Sequence, residues 1–309
     1  MKYIVIGATG YIGSHIFRHL KEGGYDVIGT CRNHHSMDGL IYYDIQKNDI
    51  RTILEEIYDK PITAIICVAE TNIDKCYEDY ETAYDINVRQ TKKLIHQLSQ
   101  EGIRSIFFSS DSVFDGESGN YTEESLTHAL NQYGKMKAEM EQYLLMDEPN
   151  TCILRIPKVV NITKEKQNIF AEWTEKIKIG TNRCIKGNKI SFTYIKDIFH
   201  ACLIAAEKPL YGLYNIAGDN SYTRAELAKI FYDKLGAVVN IQECEIEEFA
   251  FKDVRPLDIS MSNLKFKKET GYQFADMDSV IEMYINNIKA TMDIALVAGA
   301  AQITRVGIQ

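Results

Sequence analysis

The chain has 309 residues, enough for one large or two interlocked domains, and its 45% hydrophobic and 25% charged composition is that of an ordinary globular protein. A net charge of −8 without a lysine/arginine run speaks against nucleic acid and against an anionic membrane surface as partners. The opening MKYIVIGATG lacks signal-peptide anatomy, and no window approaches the roughly 20 apolar residues of a membrane span. Seven cysteines with no C-x-x-C pair read as buried free thiols in a reducing compartment. The expectation is a soluble, cytoplasmic protein.

In chain order, YIVIG (3–7) predicts a buried strand, 11–24 a helix closed by Gly-Gly, and 26–31 and 40–44 two further strands. Residues 48–60 predict a helix capped by Asn48, 63–69 a strand, 80–100 one long helix, and 104–110 a strand. A helix over 131–146 and a strand over 151–156 complete an alternation that implies right-handed crossovers and a mostly parallel sheet. Beyond Pro157 the rhythm loosens. A helix is expected within 164–180, a hairpin over 183–194, and a helix over 195–208. A buried strand at 212–218 rejoins the first sheet, a helix over 223–236 carries Thr223 and Glu226 in capping-box spacing, and 237–275 forms a smaller mixed cap. The fold class is α/β: a Rossmann-type doubly wound parallel sheet with an interleaved smaller α/β lobe. Residues 1–160 plus about 193–218 form the nucleotide domain, and about 161–192 plus 219–289 the second lobe. The apolar tail 290–309 is a docking strand, an oligomer contact or an appended segment, with no function assigned.

Three stretches carry chemistry. GATGYIG sets Gly7, Gly10 and Gly13 at the first strand-to-helix turn, where a pyrophosphate can approach the backbone and the helix N-terminus, although the spacing is G-x-x-G-x-x-G. The second strand ends in Thr30, Cys31, Arg32 and Asn33, with no carboxylate for ribose hydroxyls. Arg32 suits a 2′-phosphate, so NADP(H) is preferred and NAD(H) remains possible; Arg32 as a solvated loop charge is the alternative. Asp44 is placed either to contact the adenine or to form a turn. In FFSSDSVFDG (107–116), Ser109, Ser110 and Asp111 lie where a parallel sheet presents its carboxyl edge. In QYGKMKAE (132–139), Tyr133 and Lys137 stack one turn apart on a helix, where a cation would lower the tyrosine pKa toward that of a useful proton donor. The same spacing recurs at Tyr43 and Lys47, but in a strand running into a turn, where the side chains would not face each other. No histidine shows metal-ligand spacing, and no metal site is expected; any use of Mg²⁺ is left open. His34-His35 is expected in an exposed loop near the adenine, and Trp173 in packing.

With these residues in place, the sequence resembles the extended short-chain dehydrogenase/reductase family, and within it the dTDP-4-dehydrorhamnose reductases and related nucleotide-sugar reductases, over nearly the whole chain to about residue 288. GATGYIGSHI resembles the cofactor turn, AETNIDKC (69–76) the loop after strand four, and Asn87 the usual helix asparagine. SSDSVFDG resembles S-T-D-Y-V-F-D-G, and NQYGKMKAE resembles N-x-Y-G-x-x-K. SFTYIKDI, GLYNIAG and VRPLDISMSNLKF (254–266) resemble the later elements.

The resemblance implies catalysis by Ser110, which would hydrogen-bond a carbonyl, Tyr133, which would protonate it, and Lys137, which would hold the nicotinamide ribose. It implies cofactor contacts from Gly7, Thr9, Gly10, Tyr11, Ile12, Gly13, Arg32, Asp44, Ile45, Val68, Ala69, Asn87, Ser109, Tyr133, Lys137 and Ile156. Substrate contacts would come from Thr71, Asn72, Ser110, Asp111, Ser112, Val113, Tyr133 and Arg255. The implied activity is NADPH-dependent reduction of a nucleotide-linked 4-keto-6-deoxy sugar in polysaccharide biosynthesis, by a possible homodimer. Ser112 stands where the reductase loop has tyrosine, Glu70 where it has histidine, and Cys67 and Val68 replace small residues, which leaves the sugar and base open. Related dehydratases carry Asp-Glu after the catalytic residue; here it is Asp111-Ser112, and serine cannot act as that base. An epimerase retaining NAD fits the Arg32 region poorly. The rival from another class is a non-catalytic NADP-binding regulatory subunit, like that of S-adenosylmethionine synthases.

Overall fold

The computed structural model describes residues 2–32, 39–55, 62–208 and 210–290. The strand β1 (Lys2–Ile6) runs through the glycine turn into helix α1 (Tyr11–Glu22), and β2 (Asp26–Cys31) and β3 (Leu40–Tyr42) follow. A short α2 (Arg51–Leu54) precedes β4 (Ile62–Ile66). Next come α3 (Ile73–Glu78), α4 (Tyr80–Tyr84), a π-helical turn (Asp85–Gln90) and α5 (Thr91–Gln100). Then β5 (Arg104–Ser110), α6 (Gln132–Asp147) and β6 (Cys152–Ile156) complete the alternation.

The remaining elements are β7 (Lys158–Val160), α7 (Ile169–Ile179), β8 (Thr181–Ile185), β9 (Lys189–Tyr194), α8 (Ile195–Glu207), β10 (Gly212–Asn215), β11 (Ser221–Thr223), α9 (Arg224–Leu235), β12 (Asn240–Cys244) and α10 (Leu264–Thr270). A last helix spans 277–290.

Seven strands form one sheet in the order β10-β6-β5-β4-β1-β2-β3, every pair parallel. Successive residues of β1 serve opposite faces, as the pleat requires. Tyr3 and Val5 join Ile16, Leu20 and Ile198 in one core, while Ile4 and Ile6 join Leu94, Leu98, Met136 and Met140 in the other. Helices α1 and α8 therefore cover one face and α5 and α6 the other, and the doubly wound α/β expectation holds. Strand order reverses between β1 and β4, and ligands of such sheets bind at the carboxyl edge beside that reversal.

Outside this sheet lie a three-stranded sheet, β11-β9-β7, and a two-stranded one, β12-β8. The hairpin expected over 183–194 is not formed. Gly187 turns the chain at φ +69°, yet β8 pairs in parallel with β12, and β9 pairs with β7 and β11. Both strand edges are taken by partners distant in sequence. The expected single helix over 80–100 contains the π turn, where the Thr91 hydroxyl donates to the Ile86 carbonyl at 2.7 Å. Asn48 does not cap α2. Its side chain accepts from the Asp44 amide, while Asp49 accepts from the Arg51 amide at 3.0 Å. The Thr223–Glu226 capping box and the return of β10 to the main sheet are both present. All seven cysteines are unpaired, six of them buried, and Trp173 is core. No described helix is long and apolar enough to cross a membrane. The tail beyond 290 and the His34-His35 loop lie outside the described residues.

Candidate active site

A cleft opens at the reversal point, lined by Gly7, Thr9, Gly10, Arg32, Asp44, Ile45, Val68 and Ala69 among others. Each glycine of the turn has its own reason. Gly7 lies at φ +86°, where an L side chain is strained. A Cβ on Gly13 would meet the Gly7 carbonyl oxygen at 2.2 Å, so α1 packs on the turn only without one. Gly10 differs, because a Cβ there would meet nothing closer than 3.4 Å. The fold itself does not require glycine at that exposed position, and its absence of a side chain leaves the backbone open to a closely approaching ligand. Gly10 also opens α1 without a side-chain cap and with no acidic residue in the first turn. The amides of Tyr11, Ile12 and Gly13 thus stand at a helix N-terminus without a side-chain cap, an end that suits an anion. Thr30 buttresses the turn: its hydroxyl accepts from Gly7 N and its carbonyl from Ala8 N.

The discriminating residues sit around the rim. Arg32 is exposed at the end of β2 and makes no ion pair among the described residues. Asp44 is buried, and its carboxylate accepts from Gln46 N at 3.1 Å and faces Lys47 at 3.5 Å, so it shapes its own turn while lining the cleft. The Tyr43/Lys47 copy separates as expected, with Tyr43 in the core and Lys47 exposed. A glycine turn shaped for a close ligand, an uncapped helix and an unengaged arginine fit a phosphorylated dinucleotide.

Ser109 and Ser110 end β5 on opposite sides. The Ser109 hydroxyl donates to Glu141 at 2.5 Å, and Glu141 is held by Arg155 through bonds of 2.8 and 2.7 Å. Ser109 therefore supports the strand from behind. Ser110, register partner of Ile156, faces the site; its hydroxyl donates to Asp111 at 3.0 Å and accepts from Ser112 N at 3.2 Å. Tyr133, Lys137 and Glu141 follow at four-residue intervals along α6. Asn131 caps this helix by accepting from Gly134 N at 2.8 Å.

Tyr133 and Lys137 are buried beside Ser110, but the electrostatics differ from the expectation. Burial raises the Tyr133 pKa, opposed by the Ser110 hydroxyl, and the Asp111 charge raises it further. Lys137 does not lower it. Its ammonium donates to the Phe108 carbonyl at 2.8 Å and sits 5.8 Å from the Tyr133 ring centre. Burial pulls Lys137 itself down to about 8, against Cys76 and Glu141, and pushes Asp111 up to about 7 against its Ser110 and Ser112 hydrogen bonds. Desolvation outweighs ion pairing throughout this pocket.

Several expected ligand contacts are engaged elsewhere. Asn87, within the π turn, exchanges two 2.8 Å bonds with the Glu70 backbone and so fixes the loop after β4. Asn72 caps α3, and Thr71 beside it is exposed. Ser112 is buried against α6, and Val113 is wholly core. Arg255 bonds Asp74 at 2.8 Å and stacks 4.5 Å over Phe251. Together with Asp253 to Gln132 N and the Val254 carbonyl to Asn131, it ties the 251–255 loop to α3 and α6.

Sequence reasoning missed Gly134, whose signal is a glycine inside a helix, and the Glu141–Arg155 pair.

Comparison with known proteins agrees with this geometry. The methionine adenosyltransferase 2 subunit beta of Xenopus tropicalis is 28% identical over 233 residues, 72% of this chain and 69% of that protein. The dTDP-4-dehydrorhamnose reductase of Aggregatibacter actinomycetemcomitans is 26% identical over 307 residues, 94% of this chain and 98% of that protein. The crystal structure of dTDP-4-dehydrorhamnose reductase from Bacillus anthracis str. Ames in complex with NADP superimposes with a TM-score of 0.81 at 22% identity, covering 93% of this chain and 99% of that one. The family model described as RmlD substrate binding domain matches residues 1–290, and the chain belongs to that family, within the extended short-chain dehydrogenase/reductases.

Proposed function

We propose that this protein is an NADPH-dependent oxidoreductase that reduces the 4-keto group of a nucleotide-linked 4-keto-6-deoxy sugar. The observation that carries this reading is the meeting of Ser110, Tyr133 and Lys137 at the carboxyl end of β5, on the same sheet edge as the cleft at the glycine turn. The NADP-bound reductase of the same fold and the full-length reductase relative support it.

The amides of Tyr11, Ile12 and Gly13 would hold the pyrophosphate, Arg32 the 2′-phosphate, and Asp44 and Ile45 the adenosine end. NADPH bound there would supply the hydride. The chain supplies the rest. With its pKa raised, Tyr133 is a phenol at neutral pH, hence a proton donor to the substrate oxygen. Lys137, whose ammonium is anchored on the Phe108 carbonyl of the same pocket, would hold the nicotinamide ribose and so orient the hydride toward the carbonyl.

Ser110 has a single proton, and it now goes to Asp111. A protonated Asp111, held near neutrality by burial, can donate to Ser110 instead and free the serine proton for the carbonyl. The two donors then meet the oxygen as charge develops on it.

The test is loss of NADPH absorbance with a panel of nucleotide 4-keto-6-deoxy sugars, run beside NADH and Tyr133→Phe. Turnover that prefers NADPH and drops by a factor of about 100 or more in the variant supports the reading. Turnover within a few-fold of wild type in Tyr133→Phe overturns the mechanism. A second reading, a non-catalytic NADP-binding subunit, is favoured by the beta-subunit relatives. Tight NADPH binding with no oxidation across the panel, together with stoichiometric capture of a methionine adenosyltransferase, would establish that reading instead.

A further inference from the structure

Residues 250–256 belong to neither helix nor strand, so no backbone ladder fixes them, yet they reach the start of α6. One carboxylate gathers them. A single oxygen of Asp74, in the first turn of α3, accepts from the Lys252 amide at 3.0 Å and the Asp253 amide at 3.4 Å. It also accepts from the Arg255 guanidinium at 2.8 Å. That guanidinium donates in turn to the Asp253 carbonyl at 2.9 Å and lies 4.5 Å over the Phe251 ring, which stacks on Phe249. Asp74 and Arg255 therefore hold the segment in one conformation.

The far side of this knot is the N-terminus of α6. Asn131, fully buried, caps the helix through the Gly134 amide and donates its own side-chain amide to the Val254 carbonyl at 3.1 Å. A helix leaves the amides of its first turn without intrahelical partners. Here the Gln132 amide donates to the Asp253 carboxylate at 2.8 Å, and a negative charge at that end also favours the helix electrostatically. The cap thus comes from 121 residues further along the chain, and Tyr133 is the next residue of the turn it closes.

We propose that Asp74 and Asp253 are positioning residues for the proton donor: Asp74 shapes the 252–255 strap, Asp253 joins that strap to the first turn of α6, and the turn aims the Tyr133 hydroxyl. This rests on the reading of Tyr133 as proton donor to a keto sugar. Arg255 serves the same end by holding the strap to Asp74.

The first test needs no turnover. Amide hydrogen exchange is measured by NMR on the NADPH-loaded protein for wild type, Asp74→Ala and Asp253→Ala. The Asp74 carboxylate bonds the strap and not α6. Its variant should nonetheless raise exchange of the Gln132 and Gly134 amides about fivefold or more, the size of a lost cap contact. The amides of α1 should keep their wild-type rates, and unchanged NADPH affinity reports intact folding. Wild-type exchange at Gln132 and Gly134 in Asp74→Ala overturns the strap, as does an equal rise in α1, which would be a general loss of stability. The reaction then tests the link to Tyr133. Asp74→Ala should lower the single-turnover rate of reduction about tenfold or more, as misplacement of a reacting group does. In a Tyr133→Phe background it should have no further effect, because changes that act through one group do not add. The same fractional loss in both backgrounds overturns the proposal. A wild type that reduces no keto sugar removes the reductase reading, and the exchange result then decides alone whether Asp74 sets the first turn of α6.

Discussion

The carbonyl oxygen of Ser112 lies 1.9 Å from where a Cβ on Gly134 would stand. Helix α6 therefore rests directly on the turn that follows Ser110, and this contact sets the spacing between Ser110 and Tyr133. Gly134→Ala should push α6 outward and lower kcat/KM about 100-fold, since displacements near 1 Å at a reacting centre cost that much. NADPH affinity, set across the cleft at α1, should change little. Steady-state kinetics and fluorescence titration check both halves; wild-type kinetics would show that the spacing is set elsewhere.

Lys137 gives the reaction an alkaline limit. Burial lowers a lysine pKa by penalising the charged form, here to about 8, so the ammonium is present at pH 7 and is lost as pH rises through that value. The rate of reduction should fall above pH 8 with a slope near one. Lys137→Met should be slow at all pH values and lack this limb, and a variant profile that keeps the limb would assign it to another group.

Arg32 stands at the rim with no ion pair among the described residues, so removing it leaves no buried charge behind. Arg32→Ala should raise the KM for NADPH about tenfold or more, the worth of a charge-assisted phosphate contact. The KM for NADH should stay within about twofold. Equal effects on both cofactors would count against a 2′-phosphate contact.

The alternation of strands and helices, the glycine turn and the Tyr133/Lys137 face were legible because each is set by local periodicity or spacing. Strand pairing beyond residue 157 was not. KGN between two apolar runs looks like a hairpin, but β8 finds β12 more than fifty residues away, and nothing local encodes that choice. Nor does spacing reveal desolvation. The sequence places a cation near Tyr133, but only the packed structure shows that burial outweighs it. Arg255 illustrates the same limit, since its partner Asp74 lies far off in the chain.

The Glu141–Arg155 pair escaped notice for that reason too, and it is open to a stability test. Both side chains are buried, at 3% and 2% exposure, and Ser109 leans on the carboxylate. Glu141→Gln leaves the guanidinium buried without its counter-charge and should cost roughly 3 to 5 kcal/mol in urea denaturation. Replacing both by methionine should recover much of that loss, because the desolvation of two ions is no longer required. A double variant no better than Glu141→Gln would show that the pair is needed for packing at Ser109.

Asp111 links stability to function. Its folded pKa is raised from 3.8 to about 7 by burial, so the folded state holds a proton that the unfolded state releases. The stabilisation from that proton is fully present below pH 3.8 and is lost as pH rises through about 7. Asp111→Asn keeps the shape and a donor toward Ser110 but has nothing to ionise. Urea denaturation from pH 5 to pH 8 should show the variant gaining on wild type by roughly 2 kcal/mol, nearly all of it below pH 7. The variant should also lose any activity limb near pH 7, since its amide can donate to Ser110 at every pH. Parallel stability curves would mean that Asp111 is already ionised at pH 5, and the Ser110 proton would then need another route to the substrate.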